Sequence, residues 1–283
     1  MYKKMIISKL ADIQELPTMF NVAIEVNKLT SEPSTSVYQI EHIIKNDLAL
    51  TAKVLKLANS TVYGGTVRII SLNQAIARLG FKEINKMALA VSILNNFKPI
   101  YISYEKFWMH SIVTAYTAVK LNEYSETHEP SERLFTGALM HDIGILLFEL
   151  HFPTLYKKVL DIVKSKNYEL RYIEREILGI THSEIGSLLL KRWRIPEEIT
   201  SMIQFHHTPF EAEISSRETK LIYLANYIAN NRGYDNGASV FPDFFHDDIW
   251  FELGISTDDI PQIISEVNED IEKAKEFLKI GGV

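Results

Sequence analysis

Cysteine is absent from all 283 residues. That absence removes disulfides, iron-sulfur clusters, thiolate zinc sites and cysteine nucleophiles together, permits a reducing compartment, and leaves any bound metal to nitrogen and oxygen ligands. Long apolar runs are also missing: Lys3-Lys4 is followed only by Met5-Ile6-Ile7 before Ser8-Lys9 interrupts, too short for a signal-peptide core, and no later run reads as a membrane span. The expectation is a cytoplasmic protein with no membrane segment. Excess positive charge is lacking too, with 30 Lys and Arg against 36 Asp and Glu for a net charge of -6, which disfavours a broad electrostatic grip on nucleic acid. Internal repeats and low-complexity stretches are not found.

What is present is a 46% hydrophobic chain, enough for a substantial core, with helical periodicity wherever periodicity is visible. Leu50, Val54, Leu57 and Ala58 follow the i, i+4, i+7, i+8 spacing of one buried stripe. Ser71 with Gln74 and Thr181 with Glu184 read as capping boxes, and Pro196 before Glu197-Glu198 suits a first helical turn, so helices are predicted to begin near 71, 181 and 196. Breaks fall at Ser31 to Ser34, Tyr63-Gly64-Gly65, Glu129-Pro130-Ser131, His207-Thr208-Pro209 and Asn230 to Asn236, none long enough to be an interdomain linker. These features predict an all-α fold with two helical subdomains sharing one core. Residues 1–100 form the first, 101–210 the second, and 211–283 a helical extension packed on the same domain.

The second part holds the unusual chemistry. His141-Asp142 lies inside the apolar stretch Leu134 to Phe148, accompanied by His110, His182 and His206-His207. A helix through 131–148 would put both members of the dipeptide on its apolar face, seven and eight residues after Leu134. Ile199, Met202, Ile203 and His206 form a second inward stripe with His207 at its edge, His182 falls in the first turn of the helix capped by Thr181, and His110 follows Phe107 by three. A carboxylate among Leu, Ala, Met and Ile must be paired, hydrogen-bonded or metal-bound, because burying an uncompensated ion costs several kcal/mol, roughly. One histidine on an apolar face is usually a hydrogen-bonded core residue. Five with an aspartate suit iron, zinc or manganese, which take imidazole and carboxylate together. Spacing alone leaves both readings open.

The order of these residues resembles the HD superfamily of metal-dependent phosphohydrolases, in which a lone His, an HD dipeptide, further His residues and a late Asp surround one or more metals. More closely, the chain resembles the HDOD domains of bacterial signalling proteins. The resemblance rests on Leu16-Pro17, Ile40 to Asp47 leading into Leu48 to Ser60, and Ser71 to Gly80. It continues through His110, Gly137 to Gly144, His182-Ser183-Glu184-Ile185-Gly186 and Ile203 to His207. It implies an all-helical HD-like bundle over roughly residues 10–210, a regulatory role through a protein partner or ligand, and metal ligands at His110, His141, Asp142, His182, His206, His207 and Asn226. Departures from the enzymatic pattern of the HD-GYP phosphodiesterases bear on activity. The Lys they carry three residues after the HD aspartate is Ile145 here, their Gly-Tyr-Pro signature is absent, and Asn226 stands where a late aspartate is expected. A neutral amide is a weaker ligand and adds no charge for activating water. The expected function is signal transduction without catalysis, the alternative a metal-dependent phosphohydrolase or phosphodiesterase.

Two features look like motifs without the chemistry. His246-Asp247 sits among Phe241, Phe244, Phe245, Trp250 and Phe251 with nothing polar at ligand spacing, and reads as a helix start on a packed surface. Ser71 to Leu94 superficially suggests helix-turn-helix DNA binding, but Arg78, Lys82 and Lys86 with Glu83 among them are a thin footprint. The N-terminal helices, residues about 10–100, are the expected surface for a protein partner.

Overall fold

The computed structural model describes residues 2–12, 18–30, 32–63, 68–96, 98–239 and 245–281. Leu16-Pro17, Ser31, Gly64-Gly65, Phe241 and Phe244 lie outside them. Among the described residues the regular structure is helical throughout: α1 Tyr2–Asp12, α2 Thr18–Thr30, α3 Val37–Ile44, α4 Leu48–Ala58, α5 Leu72–Asn96, α6 Tyr104–Tyr124, α7 Ser131–Met140 and α8 Ile143–His151. The series continues with α9 Pro153–Lys166, α10 Leu170–Leu178, α11 His182–Arg192, α12 Glu197–Phe205, α13 Ser216–Asn231, α14 Asp248–Leu253 and α15 Ile260–Gly281.

The chain divides into two compact units, one of Met1–Glu15 with Phe97–Ile271 and the other of Leu16–Asn96 with Glu272–Val283. The expected division near residue 100 is displaced at both termini. The N-terminal helix goes with the histidine-bearing part because α1 packs on α10 and Lys9 reaches the His151 carbonyl at 3.1 Å. In the smaller unit, Leu50, Val54, Leu57 and Ala58 are buried together as their spacing requires, and α5 packs on both α2 and α4. Helix α5 carries a non-helical residue, Gly80 at φ 78°, a conformation that glycine adopts without the steric cost of a side chain. Of the basic residues nearby, Arg78 donates to the Ala58 carbonyl and Lys86 pairs with Glu83.

In the larger unit α6 is buried along most of its length and packs against α7 and α13, while α11 packs against α8 and α12. The predicted starts at 181 and 196 are present: Thr181 and Glu184 complete a capping box ahead of α11, and α12 begins after Pro196. The single helix expected over 131–148 is instead two, α7 and α8, separated by His141 and Asp142. Asp142 leaves helical geometry at φ -95°, ψ 8°, and the chain turns there. The apolar content of Ser131–His151 would by length and composition suffice to cross a membrane, which corrects the reading that no run approaches a span, but 89% of that window is buried inside the protein.

Two glycines let these helices approach. A Cβ on Gly144 would run into the backbone carbonyl of His182, and one on Gly186 would lie 3.1 Å from Ile143 Cγ2 and 3.3 Å from the Gly144 nitrogen. The start of α8 is thereby pressed against the start of α11. Gly144→Ala should lower stability by about 3 kcal/mol or more, because backbone must yield. Gly137→Ala meets the flexible Met202 side chain at 2.7 Å and should cost less. Urea unfolding of the two variants checks the order; equal losses would contradict it.

Candidate metal centre

Four helix ends and one helix middle bring the histidines to Asp142. His141 ends α7, Asp142 precedes α8, His182 opens α11, His206 ends α12 with His207 beside it, and His110 comes from within α6. All but His207 are buried. The last carbonyls of a helix lack intrahelical partners. His141 and His206 use this in the same way: each ring Nδ1–H donates to the carbonyl three residues back, Ala138 at 2.7 Å and Ile203 at 2.7 Å. His110 Nδ1 donates to the Tyr234 carbonyl at 2.6 Å. A carbonyl cannot donate, so these three Nδ1 atoms carry the proton and the Nε2 lone pairs face inward.

His182 is held by a carboxylate instead. Its backbone N–H and its Nδ1 both donate to Glu174 Oε2, at 2.8 and 2.7 Å, and the Tyr156 hydroxyl donates to Glu174 Oε1 at 2.7 Å. A carboxylate behind a histidine fixes the ring and raises its basicity, as in metal-ligating His-carboxylate pairs. Sequence reading passed over Glu174, although a signal exists: it lies midway between Leu170 and Leu178 at four-residue spacing, on the buried face of α10, and is fully buried with them.

The inward nitrogens surround both oxygens of Asp142. His182 Nε2 lies 3.3 Å and His206 Nε2 3.6 Å from Oδ1; His141 Nε2 lies 3.2 Å and His110 Nε2 3.5 Å from Oδ2. His110 and His141 face each other Nε2 to Nε2 at 3.2 Å, and His182 and His207 at 2.8 Å. The donors fall into two sets that share Asp142, one with His182, His206 and His207 and one with His110 and His141. These residues fit a divalent ion on two observations. His206 Nε2 is buried with no hydrogen-bond partner, and the lone pairs of His110 and His141 oppose one another at a distance that a cation relieves.

Asn226, the remaining candidate ligand, lines a cavity of about 20 Å³ beside Asp142, with its Oδ1 taken up by Asn230 Nδ2 at 2.8 Å. Sequence reading also missed Asn236, buried and donating to Asp142 Oδ2 at 2.7 Å from within a segment marked only as a break. His246-Asp247 joins no such cluster among the described residues; the His246 ring stands against Phe210 and Tyr223.

A family model described as the HDOD domain matches residues 16–209. The chain belongs to the HDOD family. A protein of Treponema pallidum is 24% identical to this HDOD protein over 202 residues, 71% of this chain and 39% of that protein, so the alignment spans well under half of the relative's length. An HDOD domain protein from Geobacter sulfurreducens superposes with TM-score 0.80 at 21% identity, covering 99% of this chain and 98% of its own. A Marinobacter aquaeolei protein named for signal transduction gives TM-score 0.79 at 23% identity, covering 96% of this chain and 60% of its own. A Shewanella amazonensis protein named as a phosphohydrolase gives 0.74 at 22%, covering 96% and 97%. At these identities the superpositions establish the helical HDOD fold.

Without metal the site's charges are set by its packing. Burial alone would raise the Asp142 carboxyl, but the imidazoles of His141, His182 and His206 outweigh it and hold it well below the usual carboxylate range. Burial would lower His182, yet Glu174 and Asp142 together raise it to about 10. Burial, with His141 adjacent, brings His110 down to about 4, and burial beside other imidazoles lowers His206 and His207 as well. Linkage then has opposite signs on the two sides of the ordinary value of 6.5. Above it, folded His182 keeps a proton that the unfolded chain releases, so its contribution is lost as pH rises toward 10; below it, the unfolded chain binds protons that His110, His206 and His207 refuse when folded. Melting of chelator-treated protein should therefore weaken in both directions from near neutrality, and His182→Gln should flatten the alkaline arm. An alkaline arm unchanged in that variant would contradict the assignment.

Proposed function

We propose that this protein is a signal-transduction module that holds divalent metal, iron, zinc or manganese, at His110, His141, Asp142, His182, His206 and His207, and acts by binding a ligand or protein partner without turnover. The observation that carries the metal reading is the convergence of the unprotonated Nε2 atoms of His110, His141 and His206, with His182 beside them, on the buried Asp142 carboxylate, each ring fixed from behind by an acceptor. Of the two donor sets, one would hold an ion with Asp142, His182, His206 and His207 and the other with His110, His141 and Asp142. When bound, such an ion supplies Lewis acidity and a lowered pKa for water. The chain's own residues contribute little else that hydrolysis needs. Ile145 is fully buried in the core, and Asn226 offers a neutral amide with its oxygen already bonded. The smaller unit supports partner binding through apolar side chains left in solvent, Tyr38 at 72% and Ile70 at 78% exposure.

A second reading, metal-dependent phosphohydrolase, is favoured by the same donor set and by the name of the Shewanella amazonensis protein. One experiment separates the two. Protein purified without affinity nickel should contain at least one equivalent of transition metal, lost in Asp142→Ala, and its melting temperature should fall on chelation. Aryl phosphodiesters and cyclic dinucleotides should not turn over. Metal-dependent turnover that vanishes in His141→Ala would reverse the assignment, and protein free of metal after reconstitution with iron, zinc and manganese would remove it.

A further inference from the structure

After α13 the chain continues as a strap, residues 233–239, that is pinned at three consecutive positions. The Tyr234 N–H donates to the Ala229 carbonyl at 3.0 Å, closing on the end of α13, while the Tyr234 carbonyl accepts from His110 Nδ1 at 2.6 Å. Asp235 pairs with Lys106 of α6 at 3.0 Å and accepts from the Gly237 N–H at 2.9 Å. Asn236 then donates through Nδ2 to Asp142 Oδ2 at 2.7 Å. Two of the three pins therefore act on His110 and Asp142, members of one donor set.

The Asn236 amide has one workable orientation. Its Oδ1 accepts from the Ala238 and Ser239 N–H groups at 3.0 and 2.9 Å, so turning it over would set an NH2 against two other donors and an oxygen against the carboxylate. A donor is thereby fixed in place, on a side chain only 6% exposed. What it controls is a soft torsion, because rotation of a carboxylate about its last bond is broad and two-fold, and Asp142 makes no side-chain cap bond to α8. Asn236 holds Oδ2 toward His141 and His110, at 3.2 and 3.5 Å, which leaves Oδ1 toward His182 and His206, at 3.3 and 3.6 Å. The amide takes up one lone pair of Oδ2 and leaves another for an ion.

We propose that Asn236 is a positioning residue for metal, one that sets the rotation of Asp142 so that a single carboxylate serves both donor sets. With the Tyr234 carbonyl, which keeps the His110 proton on Nδ1, it makes the strap the element that tunes affinity at His110, His141 and Asp142. Neither group touches the ion. The assignment goes beyond the donor sets and rests on the metal reading above. Removing a group that orients a ligand from behind weakens metal binding about 10- to 100-fold, because the freed ligand must then be ordered as the ion binds.

The probe is zinc, titrated into the full-length protein in competition with a chromophoric chelator at fixed pH. Asn236→Ser keeps a neutral side chain whose hydroxyl can still accept from the strap's N–H groups but is too short to reach Asp142, so it separates the donor from the turn. It should weaken zinc about 10-fold or more, and far less where His110→Gln has already disabled the set that the strap serves. A purely structural Asn236 would lower the melting temperature of Asn236→Ser and leave its zinc affinity unchanged. Should that variant not fold, hydrogen exchange in the wild type carries the test: zinc should slow exchange at Ala238 and Ser239, whose N–H groups bind the Asn236 oxygen, and unchanged rates would overturn the proposal. Equal zinc affinity in wild type and Asn236→Ser, or an equal loss in the His110→Gln background, would overturn it too while leaving the metal reading standing. Failure of the wild type to take up zinc, iron or manganese would remove the metal reading itself, and the positioning role with it.

Discussion

Both oxygens of Asp142 are inside the protein, and a carboxylate so placed must be answered by groups that the rest of the fold delivers. His182 and the Asn236 amide do so at 3.3 and 2.7 Å, and the inward Nε2 atoms of His110, His141 and His206 lie within 3.6 Å of the same oxygens, where a cation would answer carboxylate and lone pairs together. The larger unit is arranged accordingly. Helices α7, α8, α11 and α12 all point an end at this carboxylate, where unpaired backbone groups are available to steer rings, and α6 crosses behind with His110. Gly144 and Gly186 are small because α8 and α11 would otherwise be held apart, and His182 could not then reach Oδ1.

Local rules in the chain made part of this legible. The Leu50 stripe, the Thr181–Glu184 capping box and the inward stripe ending at His206 are short-range patterns, and the structure uses each of them. The break at His141-Asp142 was not legible, because the flanking residues are equally apolar on both sides and periodicity does not register a two-residue turn between two buried helices. The break matters to the site: it frees the Ala138 carbonyl to orient His141. Glu174 and Asn236 act from 32 and 94 residues away from Asp142 along the chain, and only folding brings them near. Glu174 had a local trace in its place on the apolar face of α10, whereas Asn236 had none beyond its position in a turn-rich segment.

The proposed regulatory role would draw on a site assembled from helix ends. An ion that drew these ends together would change the relative positions of α8, α11 and α12, and it would shift a conformational equilibrium only as far as its affinity differed between the two arrangements. Glu174 and Tyr156 tie one side of the site to α10 and α9.

The central claim, that the histidine nitrogens around Asp142 ligate metal, is tested most directly by X-ray absorption fine structure at the edge of the metal retained by the native protein. The account predicts imidazole multiple scattering from at least two rings, with nitrogen and oxygen ligands at about 2.0 to 2.2 Å and no sulfur for zinc. A first shell of water oxygens alone, without imidazole scattering, would contradict it.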